Sequence, residues 1–135
     1  AVPARAALAA ARTVLPAFDH GINPDPRPRR ALRAAEACAV CPCDAHAARA
    51  LSAADVAEEI ATDDAGRAVW AAVRACSGLA EPATALETAG HLLQTAIVCA
   101  GRVAGVLAVR AAVRDALVPW ALGYGDPLRR RLHGT

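Results

Sequence analysis

The 135-residue chain predicts an all-α fold: a single helical domain over residues 1–135, a bundle of about five or six helices with one long central helix. Three observations lead there. Alanine, the best helix former, outnumbers every other residue type. Apolar residues recur at spacings of three and four, and no segment alternates as a half-buried strand would. Caps and breakers fall between these periodic runs, where helix ends need them. Hydrophobic residues make up 56% of the chain, so a real core is possible, and the small side chains would let helices approach closely.

The first helix should run from about Pro3 to Phe18, with Leu8, Val14, Leu15 and Phe18 facing inward and Pro16 kinking its end. Asp19 to Arg27 connects it to the next. There Pro24, Pro26 and Pro28 fix φ at alternate positions and hold the backbone extended. Pro28 suits the first turn of a second helix, which Pro42 ends after Val40. Arg29 and Arg30 fall in that first turn, where the helix dipole disfavours cations by about 0.3–1 kcal/mol each, so an acidic neighbour or an anionic partner should compensate. A third helix spans about Ala45 to Ala61. Asp44 could cap it, and the capping-box pattern Ser52-Ala-Ala-Asp55 could break it near Ser52.

Thr62-Asp63-Asp64 supplies caps for a fourth helix from about Ala65 to Ser77, with Val69, Trp70, Val73, Cys76 and Ala80 as its apolar stripe. Pro82 and the capping box Thr84-Ala-Leu-Glu87 open the longest helix, which is expected to reach Leu117. Its inward face should carry Leu86, Gly90, Leu93, Ile97, Gly101, Ala104 and Ala108. Pro119, Gly123, Gly125 and Pro127 make the following tail irregular before a final basic turn over Leu128 to His133.

All 15 basic residues are arginine, as a GC-rich genome would encode, so their number carries no functional weight. The net charge of +2 is too small to argue for nucleic acid. Arg5 and Arg12 interrupt the N-terminal apolar run and argue against a signal peptide. Gln94 and Arg102 do the same for a membrane span over Leu92 to Val109. Five cysteines, an odd number with three of them between Cys38 and Cys43, argue against a disulfide framework. The expectation is a cytoplasmic protein that needs no cofactor and binds neither membrane nor nucleic acid.

Three constellations could carry chemistry. Cys38, Cys41, Cys43 and His46 offer zinc-type ligands within one short segment. Structural zinc sites clamp segments distant in sequence, however, so buried or loop cysteines are the favoured reading and no metal is expected. On the long helix, Glu87, His91, Thr95 and Arg102 share one face. They could line a pocket in which Glu87 orients His91 as a base and Arg102 holds an anion, although Glu87 is already explained as a cap. Near the second helix, Asp25, Arg27, Arg29 and Arg30 form either a partner-facing patch or internal ion pairs. Arg33 and Glu36 read as ordinary helix-surface charges.

The run A-A-R-T-V-L-P-A-F (Ala10 to Phe18), followed by D-P-R-P-R-R-A-L-R-A-A-E-A (Asp25 to Ala37), resembles the opening of a family of immunity proteins from bacterial polymorphic toxin systems. Ala89-Gly90-His91 and Thr95-Ala96 match a later A-G-H-x-x-x-T-A-H segment of that family, and the resemblance spans about Ala10 to Val109. The final histidine of that segment is Ile97 here. The resemblance implies an all-helical, non-catalytic protein that neutralises a cognate toxin by direct binding. The alternative expectation is a small helical enzyme or ligand-binding protein of biosynthetic type, with its pocket near His91, Thr95 and Arg102.

Overall fold

The computed structural model describes residues 2–20, 23–78 and 82–133, with the helix backbone alone over 82–87. Within them lie seven α-helices and a short 3-10 turn: α1 (Val2–Arg12), the turn (Leu15–Phe18), α2 (Arg27–Val40), α3 (Asp44–Ile60), α4 (Asp64–Ser77), α5 (Pro82–Ala104), α6 (Val106–Ala121) and α7 (Pro127–His133). The described residues form helices joined by turns and short loops, with no strand among them. The count exceeds the expected five or six for two reasons: the long helix divides, and the tail closes into a helix of its own.

The centre of the bundle belongs to α1 and α4. In α1 eight consecutive residues, Ala4 to Ala11, are buried. A helix covered on all sides must be surrounded by neighbours, and α1 packs on α2, α4, α5 and α6. Six of the eight are alanines, whose small side chains let those neighbours approach closely. The α4 helix packs on α1, α2, α3 and α5, and its Val69, Val73 and Cys76 are fully buried. Leu8, Val14, Leu15 and Leu32 complete the core.

Several expected boundaries move. The first helix stops at Arg12, and Pro16 sits within the separate 3-10 turn. The α3 helix runs unbroken through Ser52, so the capping-box pattern there is interior sequence. Asp63 caps α4 as expected, accepting the Gly66 N–H at 2.8 Å. Gly66 itself is where α4 meets the end of α3: a Cβ there would lie 1.8 Å from the Ile60 carbonyl oxygen. Thr84 falls inside α5, which already begins at Pro82, and the side chains of Leu86 and Glu87 lie outside the described residues; so does Ala80.

The longest helix ends at Ala104. Gly105 takes φ +93° and ψ 144°, open to glycine but strained for other residues, and α6 then sets off in a new direction. The inward face of α5 is also displaced from the expected one. Ala89, Ala96, Cys99 and Ala100 are buried, whereas Gly90, Ile97 and, on α6, Ala108 are exposed. Leu93 and Ala104 of the expected face still pack, half-buried, against the core, beside Leu92. The α6 helix buries only Val109, leaving Val106, Leu107 and Val118 exposed, as is Leu122 just after it. Among the described residues, no helix is long and apolar enough to cross a membrane.

Candidate functional site

The side chains expected to act on the long helix do not converge. His91 is exposed, and its backbone carbonyl accepts the Thr95 hydroxyl at 3.1 Å, a bond within the helix. Arg102 reaches α4 instead, where its guanidinium lies 3.4 Å from Asp64. The Glu87 side chain lies outside the described residues.

The segment leading into α2 is held by local ion pairs. The Asp25 carboxylate accepts the Arg27 backbone N–H at 3.0 Å and its Nη2 at 2.9 Å, so one acid both closes the turn and neutralises the guanidinium. Hydrogen bonding to Arg27 holds the Asp25 carboxyl below its usual range. Arg29 pairs with Asp19 from the loop behind it, with Nε 3.2 Å from Oδ1, and this pair depresses the Asp19 carboxyl in the same way. These acids supply the compensation that cations in a first helical turn require. Arg30 and Arg33 have no acidic partner among the described residues.

Glu36, expected on the helix surface, is instead buried, only 1% exposed. It accepts Arg12 Nε from α1 at 2.9 Å and Arg131 Nη2 from α7 at 3.0 Å. A second pair closes the other end of α1. Arg5 donates to both oxygens of Asp126, at 2.8 and 3.0 Å, while its guanidinium stacks 4.2 Å from the centre of the Trp120 ring. Burial would raise the Asp126 carboxyl, but Arg5 and the N–H groups of Leu128 and Arg129 outweigh it and hold the group below its usual range. Arg5 Nε is buried with no hydrogen-bond partner.

Between these two pairs lies a cavity of about 460 Å³. Its apolar walls include Leu8, Ala9 and Leu15 from the α1 side, Ala112 and Ala116 from α6, and Leu128 from α7. Arg5, Arg12, Arg29 and Arg131 stand at it, with Asp115 as the one acid. A smaller cavity of about 220 Å³ adjoins through Arg12, Leu15 and Arg29 and adds Arg30, Arg33 and Glu36. The two form an arginine-lined groove with an apolar floor, in the size range of ligand sites. Six guanidinium groups line it: Arg5 is paired with Asp126, Arg29 with Asp19, and Arg12 and Arg131 share Glu36, which leaves Arg30 and Arg33 without an acidic partner among the described residues.

This groove is absent from the residues singled out in the sequence, except for Arg29 and Arg30. The missed signal was periodicity: Pro28, Leu32 and Glu36 are spaced by four, all are buried, and Glu36 therefore continues the core stripe of α2.

The cysteine segment divides. Cys38 is buried and turned inward, its thiol 3.5 Å from the Cys76 carbonyl oxygen, and burial raises its pKa. Cys41, Cys43 and His46 lie together between α2 and α3, with one donor atom of each within 4.8 Å of the others. The Cys43 thiol is lowered, chiefly by the backbone N–H of His46. No protein-family model, no curated protein and no solved structure matches the chain.

Proposed function

We propose that the chain is a non-catalytic binding protein, the role implied by its resemblance to toxin-immunity proteins, and that its arginine-lined groove receives an acidic segment of the partner. The observation that supports this reading is the pair Arg30 and Arg33, without acidic partners among the described residues, beside Arg12 and Arg131, which share the one carboxylate of Glu36 next to an apolar floor. Arginine forks suit carboxylates and phosphates, and are favoured at interfaces because guanidinium groups are weakly hydrated. The exposed apolar side chains of α6, Val106 and Leu107 among them, add surface of the kind that protein partners cover.

The reading predicts a toxin gene beside this one, and co-expression with the toxin domain so found tests it. Cells carrying both should survive induction of the toxin, and the two proteins should co-purify. Arg30→Glu with Arg33→Glu should abolish protection while leaving the fold intact, since both side chains are exposed. Unprotected cells, or full protection by the double variant, would overturn it.

The alternative of a ligand-binding or biosynthetic protein keeps one observation in its favour, the 460 Å³ cavity, which lies between α1, α6 and α7 and not at His91. It would suit a molecule with an apolar body and an anionic end. A medium-chain fatty acid that raised the melting temperature, with the rise lost on Ala112→Trp, would support this second reading.

A further inference from the structure

The junction between α2 and α3 holds a group of donors that the groove does not use. Cys41 caps the C-terminus of α2 and Cys43 the N-terminus of α3, both with extended backbone. The Cys43 N–H donates to the Cys41 carbonyl at 2.8 Å, a three-residue turn centred on Pro42. Proline therefore folds this segment and leaves both thiols exposed on either side of the turn. His46 stands three residues into α3 from Cys43, a spacing that brings side chains together on a helix. Its Nδ1 lies 2.8 Å from the Cys41 carbonyl oxygen. A carbonyl can only accept, so Nδ1 carries the proton, and in the neutral ring the lone pair is on Nε2, the arrangement that metal-bound histidines adopt.

We propose that Cys41, Cys43 and His46 form a three-ligand site for a thiophilic d10 ion, Zn(II) or Cu(I), with a coordination position left open. The two sulfurs and a ring nitrogen of His46 lie within 4.8 Å of one another, and a turn of the imidazole brings either nitrogen to the same place. Bonds of about 2.3 Å to sulfur and 2.0 Å to nitrogen would place donors about 3.5–4 Å apart, within reach of small rotations of exposed side chains. Two thiolates and an imidazole select such ions over the hard, oxygen-seeking ones. Cys38 is no fourth ligand, because it is buried and directed at Cys76. Zn(II) would complete its shell with water or a substrate atom, and Cu(I) accepts three ligands as they stand. All three ligands come from one short stretch, so the unfolded chain keeps much of the affinity and binding stabilises the fold little. The site is thereby suited to an exchangeable ion and not to a structural staple.

The test uses the full chain, reduced and under anaerobic conditions, titrated with Co(II) as a spectroscopic stand-in for Zn(II) and, separately, with Cu(I) against a chromophoric chelator. One equivalent of at least one ion should bind with a dissociation constant below about 1 μM. Thiolate-to-cobalt absorption in the near ultraviolet, bleached by Zn(II), would identify the zinc arm, and withdrawal of Cu(I) from the chelator the copper arm. Cys41→Ser, Cys43→Ser and His46→Ala should each weaken binding at least about 100-fold with unchanged circular dichroism. Cys38→Ala should bind within about threefold of the parent. Failure of both ions to saturate at one equivalent, or unchanged binding by His46→Ala, would overturn the proposal. So would loss of binding in a folded Cys38→Ala variant.

Discussion

Arg5 and Asp126, 121 positions apart in the chain, meet through two hydrogen bonds of 2.8 and 3.0 Å. The pair ties the innermost helix to the start of α7, beneath the ring of Trp120. Little of either side chain reaches solvent, 9% for Arg5 and 14% for Asp126. Asp126→Ala should therefore leave a buried guanidinium without its counter-charge and destabilise the protein by about 3 kcal/mol in chemical denaturation. Arg5→Met with Asp126→Leu removes both charges and should recover most of that loss. If the double variant were no more stable than the single one, the loss would lie in packing and not in the stranded charge.

The ionisable groups set both ends of the pH profile. Asp19, Asp25 and Asp126 all titrate below the ordinary value of 3.8 in the folded protein. The unfolded chain then takes up protons first as pH falls. Their contribution is complete above the unfolded range and disappears on acidification through the folded values, so stability should fall below about pH 4. Cys38, Cys76 and Cys99 are displaced upward from 9.0 by burial. Above that value the unfolded thiols ionise while the folded ones stay neutral, and stability should decline again as pH rises. Urea midpoints across pH 2–10 would trace both limbs. The same burial predicts that a thiol reagent at neutral pH labels Cys41 and Cys43 quickly and the three buried cysteines only through unfolding.

Glu36 offers a prediction in which stability and binding move oppositely. The carboxylate holds Arg12 and Arg131 and is the most deeply buried charge in the groove. Glu36→Gln breaks both charge-assisted pairs, but Arg12 and Arg131 are 31% and 41% exposed and can regain water, so the loss should be about 1–2 kcal/mol. The variant also leaves the groove with one more unopposed positive charge. An acidic probe such as hexaglutamate, followed by fluorescence anisotropy at low salt, should bind several-fold more tightly to Glu36→Gln than to the parent. Weaker binding would mean that Glu36 orients the arginines for the ligand.

The helical class, most helix starts and the cap at Asp63 were legible in the sequence, because each rests on local chemistry: alanine propensity, a fixed proline φ, a side-chain acceptor beside free N–H groups. The break at Gly105 was not. A lone glycine without proline or a polar cap is tolerated within a helix, so nothing local distinguishes Gly105, at φ +93°, from Gly101 in the preceding turn. Nor was the phase of α5 legible. When both faces carry alanine and aliphatic residues, the contrast that marks an inward stripe is weak, and close packing of Ala96 and Ala100 decides the rotation. The groove was hidden for another reason. Its arginines come from α1, α2 and α7, and only tertiary packing brings Arg12 and Arg131 to one carboxylate.

Gly66 tests the closeness of packing on which the alanine-rich core depends. It lies in the first turn of α4, capped by Asp63, and faces the carbonyl that ends α3. The Cβ of an alanine there would fall 1.8 Å from the Ile60 oxygen and 2.7 Å from its carbon, both backbone atoms that no rotamer change can move. Relief requires α3 and α4 to separate, and both helices are packed against α2. Gly66→Ala should therefore cost about 3 kcal/mol or more, despite the better helix propensity of alanine. Gly105→Ala meets no atom within 4 Å and should pay only for its positive φ, about 1–2 kcal/mol. Thermal unfolding of the two variants side by side separates overlap from backbone strain. A Gly66→Ala protein as stable as the parent would mean that the α3–α4 turn is looser than its geometry indicates.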